Sequence, residues 1–193
     1  MLTVACVLRS GGTYTDGHVA RLEGQVAEYL PEPHRFVCLS DVKVACERIR
    51  LIHDWPGWWS KLELWRSGLF TGRIMYLDLD VTVVGDLTGL AHFPAPFAAI
   101  TDFQFPARIN SSVMAWDASF ADRLYTSFSP VRMEEFRGDQ DWIHDQMPGA
   151  ARFQIGDCVS WKRDVQPRGS VPRSAKVVVY HGLPKFPGFA DAA

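Results

Sequence analysis

Arg73-Ile74-Met75-Tyr76-Leu77-Asp78-Leu79-Asp80-Val81-Thr82-Val83-Val84 is the stretch on which the fold turns. An apolar run leads into two carboxylates at i and i+2, and a second, β-branched run follows at once. Both runs have the length and residue types of buried strands. Two acids between buried strands are costly unless a cation or hydrogen-bond donors compensate them. The spacing lets Asp78 and Asp80 reach one divalent ion if the chain turns between them, and such oxygen ligands suit Mg²⁺ or Mn²⁺. The plainer alternative places both acids in an exposed turn.

Upstream, residues 2–8 read as a strand and run into a loop at 9–17 that is rich in glycine and hydroxyls. A helix over 18–30 follows, with Val19, Leu22, Val26 and Leu30 on one face, and Pro31 and Pro33 end it. Residues 35–40 read as a second strand that closes on Asp41. Strand, helix, strand is the unit of a parallel sheet, and ligands of such sheets bind beyond the carboxyl ends of the strands. The 9–17 loop has neither Gly-Lys-Ser/Thr nor GxGxxG, which disfavours a Walker or dinucleotide cradle. Its Tyr14 could stack on a base, while turn chemistry explains its glycines equally well. Residues 47–52 suggest a short strand. A helix through 60–69 would bury Leu62, Trp65 and Leu69 and leave Lys61 off that stripe, either solvated or facing an anion.

Downstream, 85–90 reads as a turn with a short helical piece, and 97–101 and 109–117 read as strands. Helices are expected over 118–128 and from 137 through 146, the second with Asp139 near its start as a natural cap. Strands are expected near 152–155, 159–162 and 176–180, and His181 with a following glycine ends the last of them. Between Trp161 and Pro187 stand Lys162, Arg163, Arg168, Arg173, Lys176 and Lys185 against the single acid Asp164. This basic stretch could serve an acceptor, a diphosphate or only solvent.

The 193 residues suit one domain over 1–193, and 47% apolar with 22% charged content is ordinary for a globular chain. A net charge of -2 argues against wholesale attraction to nucleic acid or acidic membranes. Cys6, Cys38, Cys46 and Cys158 show no CxxC spacing, so neither zinc nor a disulfide framework is indicated. The N-terminus does not read as a signal peptide, and no apolar run approaches the roughly 20 residues of a transmembrane span. A cytoplasmic, reducing location is expected.

Two enzyme classes fit the acidic turn. Asp78-Leu79-Asp80-Val81-Thr82 resembles the motif of haloacid-dehalogenase-type phosphatases, with Asp78 as nucleophile beside Mg²⁺. That motif normally begins its fold, whereas here a strand–helix–strand unit precedes it. The required later Gly-Asp-x-x-x-Asp is also missing, because Ile143 stands where the second acid should fall.

The order of motifs resembles more closely the GT-A nucleotide-sugar glycosyltransferases, in particular a bacterial branch of the family-eight, glycogenin-like type. Trp59-Ser60-Lys61-Leu62-Glu63 is similar to the donor-lysine helix, and Tyr76 through Leu87 to the DxD strand. Ile109-Asn110-Ser111-Ser112-Val113 is similar to an Asn-Ser-Gly-Val segment, and Gly138-Asp139-Gln140 to a later Asp-Gln pair. Val179-Tyr180-His181-Gly182-Leu183-Pro184-Lys185 resembles a shortened terminal His-Phe-x-Gly-x-x-Lys-Pro segment. The resemblance implies a Rossmann-like α/β fold in one GT-A domain, with a mixed, mostly parallel sheet flanked by helices. It implies transfer of a sugar from a nucleotide-sugar donor such as a UDP-hexose to an acceptor hydroxyl, with retention. Asp80 and His181 would ligate Mn²⁺ (or Mg²⁺), and Asp78 would touch the metal or the donor ribose. Lys61 and Lys185 would face the diphosphate, Tyr14 the base, and Asp41 is a further base contact. Asn110, Asp139 and Gln140 would face the sugar and the attacking hydroxyl. The short chain leaves little sequence for an acceptor domain, so the expected acceptor is large or surface-presented, such as a polysaccharide, glycolipid, protein or modified nucleic acid. A non-catalytic sugar-binding module with a tryptophan-rich surface is the third reading.

Overall fold

The computed structural model describes residues 1–120 and 122–182, so the expectation for Lys185 lies outside the described residues. Strand β1 (Leu2–Leu8), helix α1 (Asp16–Tyr29) and strand β2 (His34–Ser40) form the expected unit, with β1 and β2 parallel. Helix α1 starts two residues before the expected boundary, after Thr15, whose backbone N–H donates to His18 Nδ1 at 3.1 Å. It stops before Leu30, because a residue preceding proline is pushed out of helical geometry. Strand β3 (Glu47–Arg50) follows, then a 3-10 helix at Gly57–Trp65, β4 (Arg73–Leu77) and β5 (Val81–Val83). Next come α2 (Thr88–Ala91), β6 (Phe97–Thr101) and β7 (Ile109–Asp117). After the single turns α3 (Arg123–Thr126) and α4 (Arg132–Glu135), the chain forms α5 (Asp139–Gln146), β8 (Ala151–Arg152), β9 (Cys158–Ser160) and β10 (Val177–Val179).

Seven strands make one sheet in the order β3-β2-β1-β4-β7-β6-β8. Only β7 runs against its neighbours. Its first residues therefore stand beside the carboxyl end of β4. A smaller sheet, β5-β10-β9, carries the chain away from the acidic turn, with β10 antiparallel to β5.

Alternation along the strands divides the core in two. Leu2, Val4, Cys6 and Leu8 of β1 and Met75 and Leu77 of β4 pack with Val19, Leu22 and Val26 of α1. Ala5, Ile74 and Tyr76 point the other way, into a layer built from Trp55, Trp59, Leu62, Trp65, Trp116 and Trp142. Five of the seven tryptophans are thus core residues, against the expected tryptophan-rich surface; Trp58 is the exposed one. Cys6 and Cys38 are neighbours in register, buried and free, as are the other two thiols in their free state.

Three local expectations are corrected. The segment expected as an α-helix over 60–69 is a 3-10 helix in which every residue from Trp59 to Trp65 is buried. Only its first two residues, Gly57 and Trp58, face solvent. Within it, the fully buried Glu63 carboxylate accepts from the N–H groups of Ile52 and His53, each at 2.9 Å, and lies 3.4 Å from Arg66 Nε. The expected helix over 118–128 contracts to the single turn α3. The expected strand over 159–162 ends at Ser160, and Trp161–Val165 winds into one π-helical turn.

Glu63→Ala would take from the Ile52 and His53 amides their common acceptor and from Arg66 its counter-charge, leaving a cavity in the fully buried Glu63 position. A loss of about 3 kcal/mol is expected in urea unfolding, on the scale of leaving such buried groups unsatisfied.

Candidate active site

The site forms where β4 ends. The N–H of Asp78 donates to the carbonyl of Ser112 at 2.9 Å, which fixes the acidic turn against the start of β7. Tyr76 and Asp78 are two residues apart, hence on one face, and the Tyr76 hydroxyl donates to Asp78 Oδ1. Lys61 rises from the 3-10 helix to the same point. Its ammonium lies 3.0 Å from Asp78 Oδ1 and 2.9 Å from Asp139 Oδ2, and it donates to Ser111 Oγ at 3.2 Å. The hydroxyl of Ser111 donates in turn to Asp139 Oδ2 at 2.8 Å. Lys61 is 5% exposed, so the solvated reading of this lysine is excluded. Burial alone would lower its pKa, but the charges of Asp139 and Asp78 outweigh that and raise it above the ordinary lysine value.

Asp139 is buried as the first residue of α5, after the N-cap Gly138. Its Oδ2 is engaged by Lys61 and Ser111 and the N-cap position is Gly138, which corrects the expectation of a helix cap. Gln140 donates through Nε2 to Asp102 Oδ2 at 3.0 Å and accepts from the N–H of Ser111 at 3.4 Å. Asn110 accepts from the N–H of Ser112 at 2.9 Å. Thus Lys61, Asp78, Asn110, Asp139 and Gln140 converge, with Ser111, Tyr76 and Asp102 as members the sequence reading did not single out.

Asp80 is turned to different neighbours. Tyr14 feels both acids of the turn: burial, followed by the charges of Asp80 and Asp78, raises its pKa far above its usual value. Arg21 of α1, also not anticipated, donates to the carbonyls of Leu79 at 2.8 Å and Val81 at 3.3 Å. Arg21 and the side-chain carbonyl of Gln25, which accepts from the N–H of Val83 at 3.1 Å, together cover the outer edge of β5. Tyr14 sets its ring edge-on to His18, with centroids 5.4 Å apart. Asp41 secures the loop after β1: it accepts from the N–H of Ser10 at 2.9 Å and from the Ser10 hydroxyl, and pairs with Arg9 at 3.2 Å. Burial would raise the Asp41 pKa, but these bonds and Arg9 lower it below its usual value.

His181 follows β10. The register sets Val179 opposite Val81, and the N–H of Tyr180 donates to the Asp80 carbonyl at 3.0 Å, so Asp80 and His181 stand at one end of the β5–β10 pair. The imidazole stacks on Phe103 at 5.0 Å, and its Nε2 lies 2.8 Å from Ser160 Oγ. Among the described residues no group of three or more His, Cys, Asp or Glu is gathered to hold a metal. Asp80 and His181 make a two-donor set, one oxygen and one nitrogen. That chemistry fits a divalent ion such as Mn²⁺ that takes its remaining ligands from a diphosphate and water. Beside Asp102 and Phe103 opens a groove of about 550 Å³, walled by Phe153, Ile155 and Pro172 and rimmed by Arg163 and Arg168.

No family model matches the chain, and no curated protein matches its sequence. Solved structures match its fold. The galactosyltransferase LgtC, solved in complex with donor and acceptor sugar analogs, superposes with a TM-score of 0.68 at 14% identity, over 95% of this chain and 88% of that one. The glycosyltransferase GlyE of Streptococcus pneumoniae TIGR4 gives 0.70 at 12% identity, and the chain spans 56% of its length. The bifunctional glycosyltransferase WbbM gives 0.66 at 12% identity, with 46% of that chain covered. The protein therefore has the GT-A fold, a mixed and mostly parallel sheet flanked by helices. No helix among the described residues is long and apolar enough to cross a membrane.

Removing the cation should expose the logic of this cluster. Lys61→Met leaves the buried Asp139 and the half-buried Asp78 without their counter-charge and should cost about 3 kcal/mol. The wild-type contribution of Lys61 is fully present below its unfolded pKa and fades only as pH rises through the raised folded value. In Lys61→Met the pH dependence near the carboxylate range should reverse, with thermal stability rising as acid protonates one of the two carboxylates. Lys61→Met/Asp139→Asn should recover part of the loss.

Proposed function

We propose that the protein is a glycosyltransferase that moves a hexose from a nucleotide-sugar donor, a UDP-hexose, to an acceptor hydroxyl. The observation that carries this reading is the GT-A fold over 95% of the chain, with the carboxylate–lysine cluster at its strand ends. The phosphatase reading gains no support, because its nucleophile, Asp78, is held by Lys61 and Tyr76. The family-eight, glycogenin-like type with retention is the finer assignment that the ordered motifs favour.

In this proposal Asp80 and His181 hold the divalent ion, and Ser160 at His181 Nε2 orients the ring from behind. The ion, when bound, supplies a Lewis acid that neutralises the diphosphate and the departing nucleoside diphosphate. Lys61 acts mainly on the protein: its charge is already matched by Asp78 and Asp139, so it positions these carboxylates more than it attracts phosphate. Asp139 and Gln140 then accept from hydroxyls of the donor sugar and orient the attacking oxygen, with Gln140 held by Asp102. Asn110 keeps the start of β7 in register with the acidic turn. The loop after β1, tied down by Asp41 and ending in Tyr14, is the place for the base. Four free cysteines accord with a reducing, cytoplasmic setting.

A thermal-shift panel of UDP-sugars with and without Mn²⁺ tests the assignment. At a ligand concentration about 100 times Kd, binding to the folded state adds about 2.7 kcal/mol. A Mn²⁺-dependent rise is expected in the wild type and should be lost in Asp80→Asn and in His181→Ala. If both variants keep the full rise, Asp80 and His181 are not the ligands.

A further inference from the structure

Trp58 is an anomaly in this molecule. It is 60% exposed, whereas Trp55, Trp59, Trp65, Trp116 and Trp142 are between 1% and 8% exposed. A large aromatic left in water next to a polar cluster has a reason when it meets a ligand.

Its position is fixed by two elements of the site. Residues three apart eclipse on a 3-10 helix, so Trp58 stands one turn from Lys61 on the same edge. Its indole lies directly over Gly138, the residue before Asp139. A Cβ built on Gly138 would come 3.0 Å from the indole Nε1 and 3.4 Å from Cδ1. Gly138 has extended backbone, which any residue can adopt, so glycine is required there for the space it leaves to the indole. The ring is thus seated against the backbone that carries Asp139, with its exposed part turned to solvent.

We propose that Trp58 is a stacking platform for a pyranose ring of the acceptor, which makes the acceptor a saccharide; this rests on the glycosyl-transfer reading above. One face of a hexopyranose presents several C–H groups and no hydroxyl, and these slightly positive hydrogens suit the negative face of an indole. The hydroxyls on the ring's edge would lie toward Asp139 and Gln140, the acceptors already placed one and two residues beyond Gly138. A nucleobase is the other flat ligand of such an enzyme. Tyr14 packs on the α1 side of the sheet and the 3-10 helix on the opposite side, so a base near Tyr14 is not the partner of Trp58.

The test uses the whole protein and three probes, lactose, cellobiose and maltose, each alone and with UDP and Mn²⁺. Acrylamide quenching of tryptophan fluorescence reads the exposed indole. At least one saccharide should shield the wild-type protein, and the shielding should vanish in Trp58→Phe. Saturation-transfer NMR should show saccharide affinity reduced at least tenfold in Trp58→Ala and clearly reduced in Gly138→Ala, where the ring is displaced but present. The Mn²⁺-dependent UDP shift should remain in all three variants. Shielding of Trp58 by UDP alone, saccharide binding by Trp58→Ala equal to wild type, or no shielding by any saccharide would each overturn the proposal. Loss of the UDP shift in the wild type would instead overturn the glycosyl-transfer reading, while saccharide shielding would still report on Trp58.

Discussion

An ammonium group without water organises the centre of this molecule. Lys61 has three acceptors from three elements: Asp78 after β4, Ser111 in β7 and Asp139 at the start of α5. None of these partners is near it in sequence, and each would be destabilising in its buried place without the others. The reversed direction of β7 is what makes the arrangement possible. Were β7 parallel to β4, Asn110 and Ser111 would stand at the far end of the sheet. The burial that holds the nine-residue 3-10 helix in place also delivers the lysine, because Leu62, Leu64 and Trp65 are buried on the same short segment.

The strands were legible because each carries its own apolar signal. Leu2–Leu8, Phe97–Thr101 and Ile109–Asp117 are found at the expected bounds, and each is buried along almost its whole length. Segment 60–69 offers a stripe of Leu62, Trp65 and Leu69 that suits an α-helix, but Leu62 and Trp65 at i, i+3 also suit a 3-10 helix, and period alone does not separate the two windings. The shortening of 118–128 has a similar origin, since Leu124 is the one buried hydrophobic of the single turn that remains. Asp139 was open to two readings for the reason that an acid at a helix start suits a cap as well as a site; only the approach of Lys61 distinguishes them. Arg21 could not have been found from its own helix, where it occupies the polar side. Its partners are the carbonyls of Leu79 and Val81, about sixty residues away.

The acidic turn is sharpened most by the structure. Read along the chain, Asp78 and Asp80 look like two equal ligands of one ion. In space the sheet separates their duties. Asp78 shares a face with Tyr76 and is drawn into the lysine cluster, while Asp80 looks to Tyr14 on the α1 side and shares its strand end with His181. On the glycosyl-transfer reading, Asp78, whose Oδ1 already serves an ammonium and a phenol, is the weaker of the two metal ligands, since a second cation beside Lys61 would be repelled. Asp80, which shares its strand end with His181, has chemistry that a divalent ion can use. On the glycosyl-transfer reading, the turn therefore joins two half-sites: a fixed one that positions sugar hydroxyls through Lys61, Asp139 and Gln140, and a metal–diphosphate one built on Asp80 and His181. Leu79, 3% exposed between them, anchors the turn in the core that α1 and β1 share.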